Sequence, residues 1–168
     1  MNTALNYIAG WMSSDRPDLV MRTMRINGWL RDHAPELDRL YGIPQPPEHH
    51  PEVDTGRHVE LALRLAAEFS KDPKVRYAVL VHDLGKGLTP KEEWPQHFKH
   101  EERGVRPGLL LGRRAVRPAL VEDTRDFVFL RVSHRNCHSG VSFRKVRHVL
   151  ADTSRRWLLV GRSALVVR

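Results

Sequence analysis

Ten of the 168 residues are histidine, about 6% of the chain, and the first question is whether their imidazoles converge with carboxylates. Residues spaced three, four or seven apart share a helix face. His58 lies on one stripe with Ala62, Leu65 and Phe69, and His82 is in phase with Val75, Ala78 and Val79. Asp83 follows His82 directly, one turn beyond Val79. His134 falls seven residues after Phe127 and fourteen after Leu120, and Asp152 three after Val149. A single inward histidine is usually a hydrogen-bonded core residue. Asp83 and Asp152 add two inward carboxylates, and a carboxylate buried without partners costs several kcal/mol. A divalent ion satisfies carboxylates and imidazoles together, and a His/Asp mixture suits Mn²⁺, Fe²⁺, Ni²⁺, Co²⁺ or Zn²⁺ better than Ca²⁺.

The elements that must position these groups read as helices. No segment shows the sustained apolar/polar alternation of a half-buried strand. Asp15 with Pro17 marks a helix start, and the pattern runs on through Leu19, Met24, Trp29 and Leu30. A short helix follows Pro35 with Leu37, Leu40 and Tyr41. The stretch GIPQPPEHHPE, Gly42 to Glu52, holds four prolines and reads as a stiff irregular connector. Asp54 or Thr55 caps the next helix, with Val59, Ala62, Leu65, Ala66 and Phe69 on one side. Asp72-Pro73 starts another, and Gly85 is placed to end it. Residues 97–114 read as helical, a further helix runs from Pro118 to about His134, and a last one from Ser142 to about Trp157. The expectation is an all-α domain, a single bundle of about seven helices.

Composition narrows the class. Apolar residues make up 40% and charged residues 29%, an ordinary globular balance. The net charge of +8 is unevenly placed: from Arg103 to Arg168 there are 15 basic and 4 acidic residues, before that 13 and 16. A basic half fits a polyanion, and Arg113, Arg114, Arg117, Arg144, Lys145 and Arg147 are the candidate contacts to an RNA backbone. Aromatics are 7%, which does not favour base stacking as the main mode. The lone Cys137 precludes an internal disulfide framework. With no apolar run long enough for a bilayer and no secretory signal pattern, a cytoplasmic location is expected.

His58, then His82-Asp83 about two dozen residues on, then a distant Asp152 resembles the signature of the HD superfamily of metal-dependent phosphohydrolases. The segments YGIPQP (41–46), HPEVDTGRH (50–58), VHDLGKGLTPKEEWPQH (81–97) and HEERGV (100–105) are similar to the HD domain that follows the nucleotidyltransferase portion in bacterial CCA-adding enzymes. The spacing His134-x-x-x-His138, followed by Phe143-Arg144-Lys145, fits the same family. The resemblance covers roughly residues 20–157.

It implies N-terminal helices and a Pro-rich connector over 1–52, an HD domain over 53–157, and an irregular or frayed tail over 158–168. It also implies metal-dependent phosphatase, 2′-nucleotidase and 2′,3′-cyclic phosphodiesterase activity, with Ni²⁺, Mn²⁺, Mg²⁺, Co²⁺, Fe²⁺ or Zn²⁺ as cofactor. By position, His58, His82, Asp83 and Asp152 would hold the primary ion. His100 and His134 match second-ion positions, and His97 and His138 are weaker candidates. Asp83 and Lys86 carry the implied catalytic work, Lys86 by neutralising a phosphate oxygen. The implied substrate is a phosphate ester or nucleotide, with the tRNA 3′ end as a partner. No Gly-Ser turn followed by paired aspartates is present, so nucleotide addition is not expected of these residues. Two other readings stand beside it: a non-catalytic tRNA- or partner-binding fragment, and a (d)NMP or (d)NTP hydrolase of the wider superfamily.

Overall fold

The computed structural model of the chain describes residues 7–115, 157–160 and 163–166. Its architecture is all-α, built from α1 (Tyr7–Ser13), α2 (Pro17–Ile26), α3 (Trp29–His33), α4 (Pro35–Asp38), α5 (Thr55–Phe69), α6 (Pro73–Val81) and α7 (His100–Ala115), with 3-10 turns at Leu84–Leu88 and Lys91–Glu93. These are not the seven helices anticipated. The expected helices over 118–134 and 142–156 lie outside the described residues, while α1 was not anticipated and the first expected helix is split in two. The split falls at Asn27-Gly28, where Gly28 takes φ +81° and the Asn27 side chain accepts the Trp29 N–H at 3.0 Å. Met21 and Leu30 are fully buried on either side of the break, but Leu19, expected inward, is 41% exposed.

At the far end of the sequence, β1 (Trp157–Val160) pairs antiparallel with β2 (Ser163–Val166), Trp157 opposite Val166 and Val160 opposite Ser163. This corrects the expectation of an irregular tail and of a helix reaching Trp157. Two short apolar runs separated by two residues have the spacing of a tight hairpin, and it lies in WLLV-GR-SALV.

Capping fixes α5 and α6 as the sequence anticipates. Asp54 accepts the Arg57 N–H at 2.9 Å and Asp72 the Lys74 N–H at 2.8 Å. The buried stripe of α5, however, runs through Val59, Leu63 and Ala66; Ala62, Leu65 and Phe69 are half-buried along its flank, with His58. Helix α6 is enclosed from Arg76 to Leu80, five consecutive buried residues. Arg76 donates to the carbonyls of Met12 (2.8 Å), Ser14 (2.7 Å), Ala67 (3.2 Å) and Ser70 (2.7 Å). These carbonyls lie at the C-terminal ends of α1 and α5, where acceptors lack intrahelical partners and carry partial negative charge.

The connector is strapped down rather than free-standing. Thr55 N–H reaches Ile43 O (2.9 Å), Gly56 N–H reaches Leu40 O (3.1 Å), and Gln45 N–H reaches Val53 O (2.6 Å). A Cβ on Gly56 would lie 2.5 Å from the Tyr41 ring, so only glycine lets the strap close on α5. One hydrophobic core joins Ile8, Leu30 and Leu40 to Leu63, Leu80 and Leu111, so the residues before and after position 52 share it. Among the described residues no helix is long and apolar enough to cross a membrane.

Candidate metal centre

Helix α6 ends at Val81 rather than running to Gly85, with His82 as its C-cap and Asp83 leading into the 3-10 turn. That change of helix type turns Asp83 inward, where its side chain is 3% exposed. Its Oδ2 lies 3.3 Å from His82 Nε2 and 3.8 Å from His58 Nε2, and its Oδ1 lies 3.5 Å from His100 Nε2. Three imidazoles from α5, the end of α6 and the start of α7 thus face one carboxylate.

Each ring is held through its other nitrogen. His58 Nδ1 lies 2.6 Å from Glu52 Oε1, His82 Nδ1 is 2.7 Å from Val79 O, and His100 Nδ1 is 2.8 Å from His97 O. Carbonyl and carboxylate oxygens only accept, so each Nδ1 carries a proton, and each ring turns its Nε2 toward Asp83. Three imidazole nitrogens grouped on a buried carboxylate are donor types that a transition ion takes. This donor set therefore fits a divalent ion, and outer acceptors that fix the tautomer are what metal-ligating histidines normally have. Ligand atoms of His58, His82 and Asp83 all lie within 4.8 Å of one another.

Burial opposes charge on Asp83, but His82, Lys86 and His100 outweigh it and hold the carboxyl well below the usual range. Burial likewise opposes charge on His82, and Asp83 more than offsets it, so His82 is raised. Glu52 is pulled down to about 2, chiefly by its bond to His58. Burial, then His58 and Lys86, pushes His50 down to about 4.

Lys86 is not a solvated helix-end lysine. It is 6% exposed, and its Nζ donates to Asp83 Oδ2 at 2.8 Å and to Gln45 Oε1. In this state it is the counter-ion of Asp83. His97 turns the other way: its Nε2 donates to Pro44 O at 2.6 Å, fastening the connector, and burial pushes its pKa down. Residues 97–99 are not helical, contrary to expectation, since His97 and Lys99 adopt φ +53° and +56°. Val53 adopts φ +57° beside Glu52. For a β-branched residue this is strained backbone, and all three such residues adjoin the group around Asp83.

Gly85 has a different task from the helix stop anticipated for it. A Cβ there would lie 1.7 Å from His100 O and 2.6 Å from Gly104 N. The missing side chain lets the first turns of α7 press onto the turn that carries Asp83, which sets His100 within reach.

Arg113 and Arg114 are exposed near the end of α7, Arg114 paired with Glu36. Asp152, His134, His138, Arg117, Arg144, Lys145 and Arg147 lie outside the described residues, and so do the sites assigned to them. Sequence reasoning missed Glu52, His50 and Gln45, all in the connector. The signal was available in HHPE, a histidine-carboxylate run six residues ahead of His58 and adjoining a capped helix start.

The chain is similar to proteins named multifunctional CCA protein. It is 53% identical to one from Teredinibacter turnerae over 94 residues, 56% of this chain and 23% of the relative. It is 48% identical to one from Ectopseudomonas mendocina over 103 residues, 61% and 25%. With one from Acinetobacter baumannii it shares 41% identity over 133 residues, 79% and 32%. It is therefore related to a region of these proteins and spans about a quarter to a third of their length. No family model matches the chain, and no solved structure does.

Proposed function

We propose that this chain is an HD-type metal-dependent phosphohydrolase domain. Its substrates are phosphomonoesters or 2′,3′-cyclic phosphates, with the tRNA 3′ end as the physiological context. The observation that carries this reading is the convergence of three Nε2 atoms, from His58, His82 and His100, on the buried carboxylate of Asp83. His58, His82 and Asp83 would hold the ion, joined by Asp152, and His100 with His134 would serve a second one. A divalent ion bound there makes a coordinated water more acidic and draws off negative charge from a phosphoryl oxygen.

The protein's own groups do the rest. Glu52, Val79 O and His97 O keep the three rings in the ligating tautomer. His82, Lys86 and His100 favour the anionic form of Asp83. Lys86, held between Asp83 and Gln45, is the cationic group that would neutralise a phosphate oxygen. The 41–53% identity to parts of multifunctional CCA proteins supports the tRNA context.

The test is hydrolysis of bis-p-nitrophenyl phosphate and 2′,3′-cAMP in the presence of Mn²⁺ or Ni²⁺. Turnover that disappears in Asp83→Ala, with helical content retained, supports the reading; no turnover with any of the metals overturns it. The basic half, 15 basic against 4 acidic residues after position 102, favours a second reading, a non-catalytic tRNA- or partner-binding fragment. Under it, tRNA affinity falls steeply between about 50 and 200 mM salt while no ester is hydrolysed.

A further inference from the structure

The residues that hold His58 from outside form a second group with ligand chemistry. His50 Nδ1 lies 3.4 Å from Glu52 Oε1, which lies 2.6 Å from His58 Nδ1, and ligand atoms of the three lie within 4.8 Å of one another. The His50 and His58 rings meet edge-on with centroids 4.6 Å apart. Their side chains are 21%, 16% and 19% exposed, so the group is reachable from solvent and still partly enclosed, unlike Asp83 at 3%. Two imidazole nitrogens and one carboxylate oxygen suit a borderline transition ion such as Zn²⁺ and suit Mg²⁺ or Ca²⁺ poorly.

We infer that His50, Glu52 and His58 form a second, outer site for a transition-metal ion, and that His58 couples it negatively to the inner group. His58 offers Nδ1 to the outer group and Nε2 to the inner one. Binding at the outer site replaces the Nδ1 proton and takes Glu52 as a ligand. If the inner group holds no ion, the displaced proton is accommodated on Nε2, which faces Asp83 Oδ2 at 3.8 Å. The ring then presents an N–H where the inner group needs a lone pair. If both sites fill, the proton leaves to solvent and one imidazolate serves two cations, which is less favourable than either site alone. The coupling rests on the proposed role of the inner group; the outer site itself does not.

The experiment is Zn²⁺ binding to the metal-stripped full chain by equilibrium dialysis and calorimetry, with His50→Ala, His50→Gln and Asp83→Ala alongside and helical content checked by circular dichroism. The expected result is two classes of bound Zn²⁺. The weaker class disappears in both His50 variants, and the tighter class, lost in Asp83→Ala, leaves an outer class that binds at least several-fold more tightly than before. One ion that is lost in Asp83→Ala and indifferent to His50 overturns the outer site and leaves the inner reading standing. One ion that depends on His50 and not on Asp83 supports the outer site and removes the inner reading. A single ion lost in both kinds of variant overturns the outer site as a separate one.

Discussion

Replacing Gly85 with alanine tests whether the close seating of α7 on the Asp83 turn builds the centre. The added Cβ would sit 1.7 Å from His100 O and 2.6 Å from both His100 C and Gly104 N. Ordinary contact begins near 3.4 Å, so backbone must separate from backbone by more than an ångström, with no flexible side chain to yield. Overpacking of this kind costs about 1–3 kcal/mol, and the upper end applies where the obstacle is main chain. At roughly 2–4 °C per kcal/mol for a chain of this size, the melting temperature should fall by about 6–12 °C. Gly108→Ala is the matched control in α7: its Cβ would meet nothing closer than Val81 Cβ at 3.7 Å, and removing a mid-helix glycine should stabilise by about 0.5–1 kcal/mol. Thermal melts followed by circular dichroism compare the two, and calorimetric titration with Ni²⁺ reads the centre. Gly85→Ala should also weaken ion binding, because the same displacement carries His100 away from Asp83. Equal melting temperatures for the two variants, or a destabilised Gly85→Ala with unchanged ion affinity, would refute the reasoning.

Three further outcomes follow from particular residues. Lys86→Met removes a positive charge that occupies Asp83 Oδ2 at 2.8 Å; ion affinity should rise at least tenfold, which needs only about 1.4 kcal/mol of relieved repulsion, while phosphate-ester turnover falls. Arg76→Met leaves four helix-end carbonyls without their donor and should cost about 3–4 kcal/mol in chemical denaturation; a loss below about 1 kcal/mol would contradict the buried network. His50 is depressed to about 4 in the folded protein, by burial and then by His58 and Lys86. Its neutral form is therefore favoured by folding, and its contribution to stability is full above about 6.5 and lost as pH falls toward 4. His50→Gln should flatten that stretch of the stability profile, whereas Glu52, lowered to about 2, acts only below about 4.5.

The parts of the fold legible in the sequence were those fixed by local chemistry. Asp54 and Asp72 cap the helices they were expected to cap, and His58 and His82 both reach Asp83, although from a half-buried flank and from beyond the end of α6. What periodicity could not supply was long-range. The α5 stripe is shifted by one position because the connector, not another helix, covers the side that carries His58. Helix α6 stops early because α7 presses on Gly85, a contact between residues fifteen apart that leaves no local mark beyond a glycine. Residues 97–99 leave the helical pattern because His97 is drawn to Pro44 O, across 53 positions. Glu52 and His50 went unnoticed because four prolines marked their segment as a spacer, when the strap they belong to holds His58 from outside.

Anomalous diffraction from crystals soaked in millimolar Ni²⁺ locates the bound ion. The expected peak is bounded by the Asp83 carboxylate and the Nε2 atoms of His58 and His82, at bond lengths of about 2.0–2.3 Å. Crystals that bind nickel only elsewhere, or hold none while Lys86 keeps its place on Asp83, would contradict the metal centre.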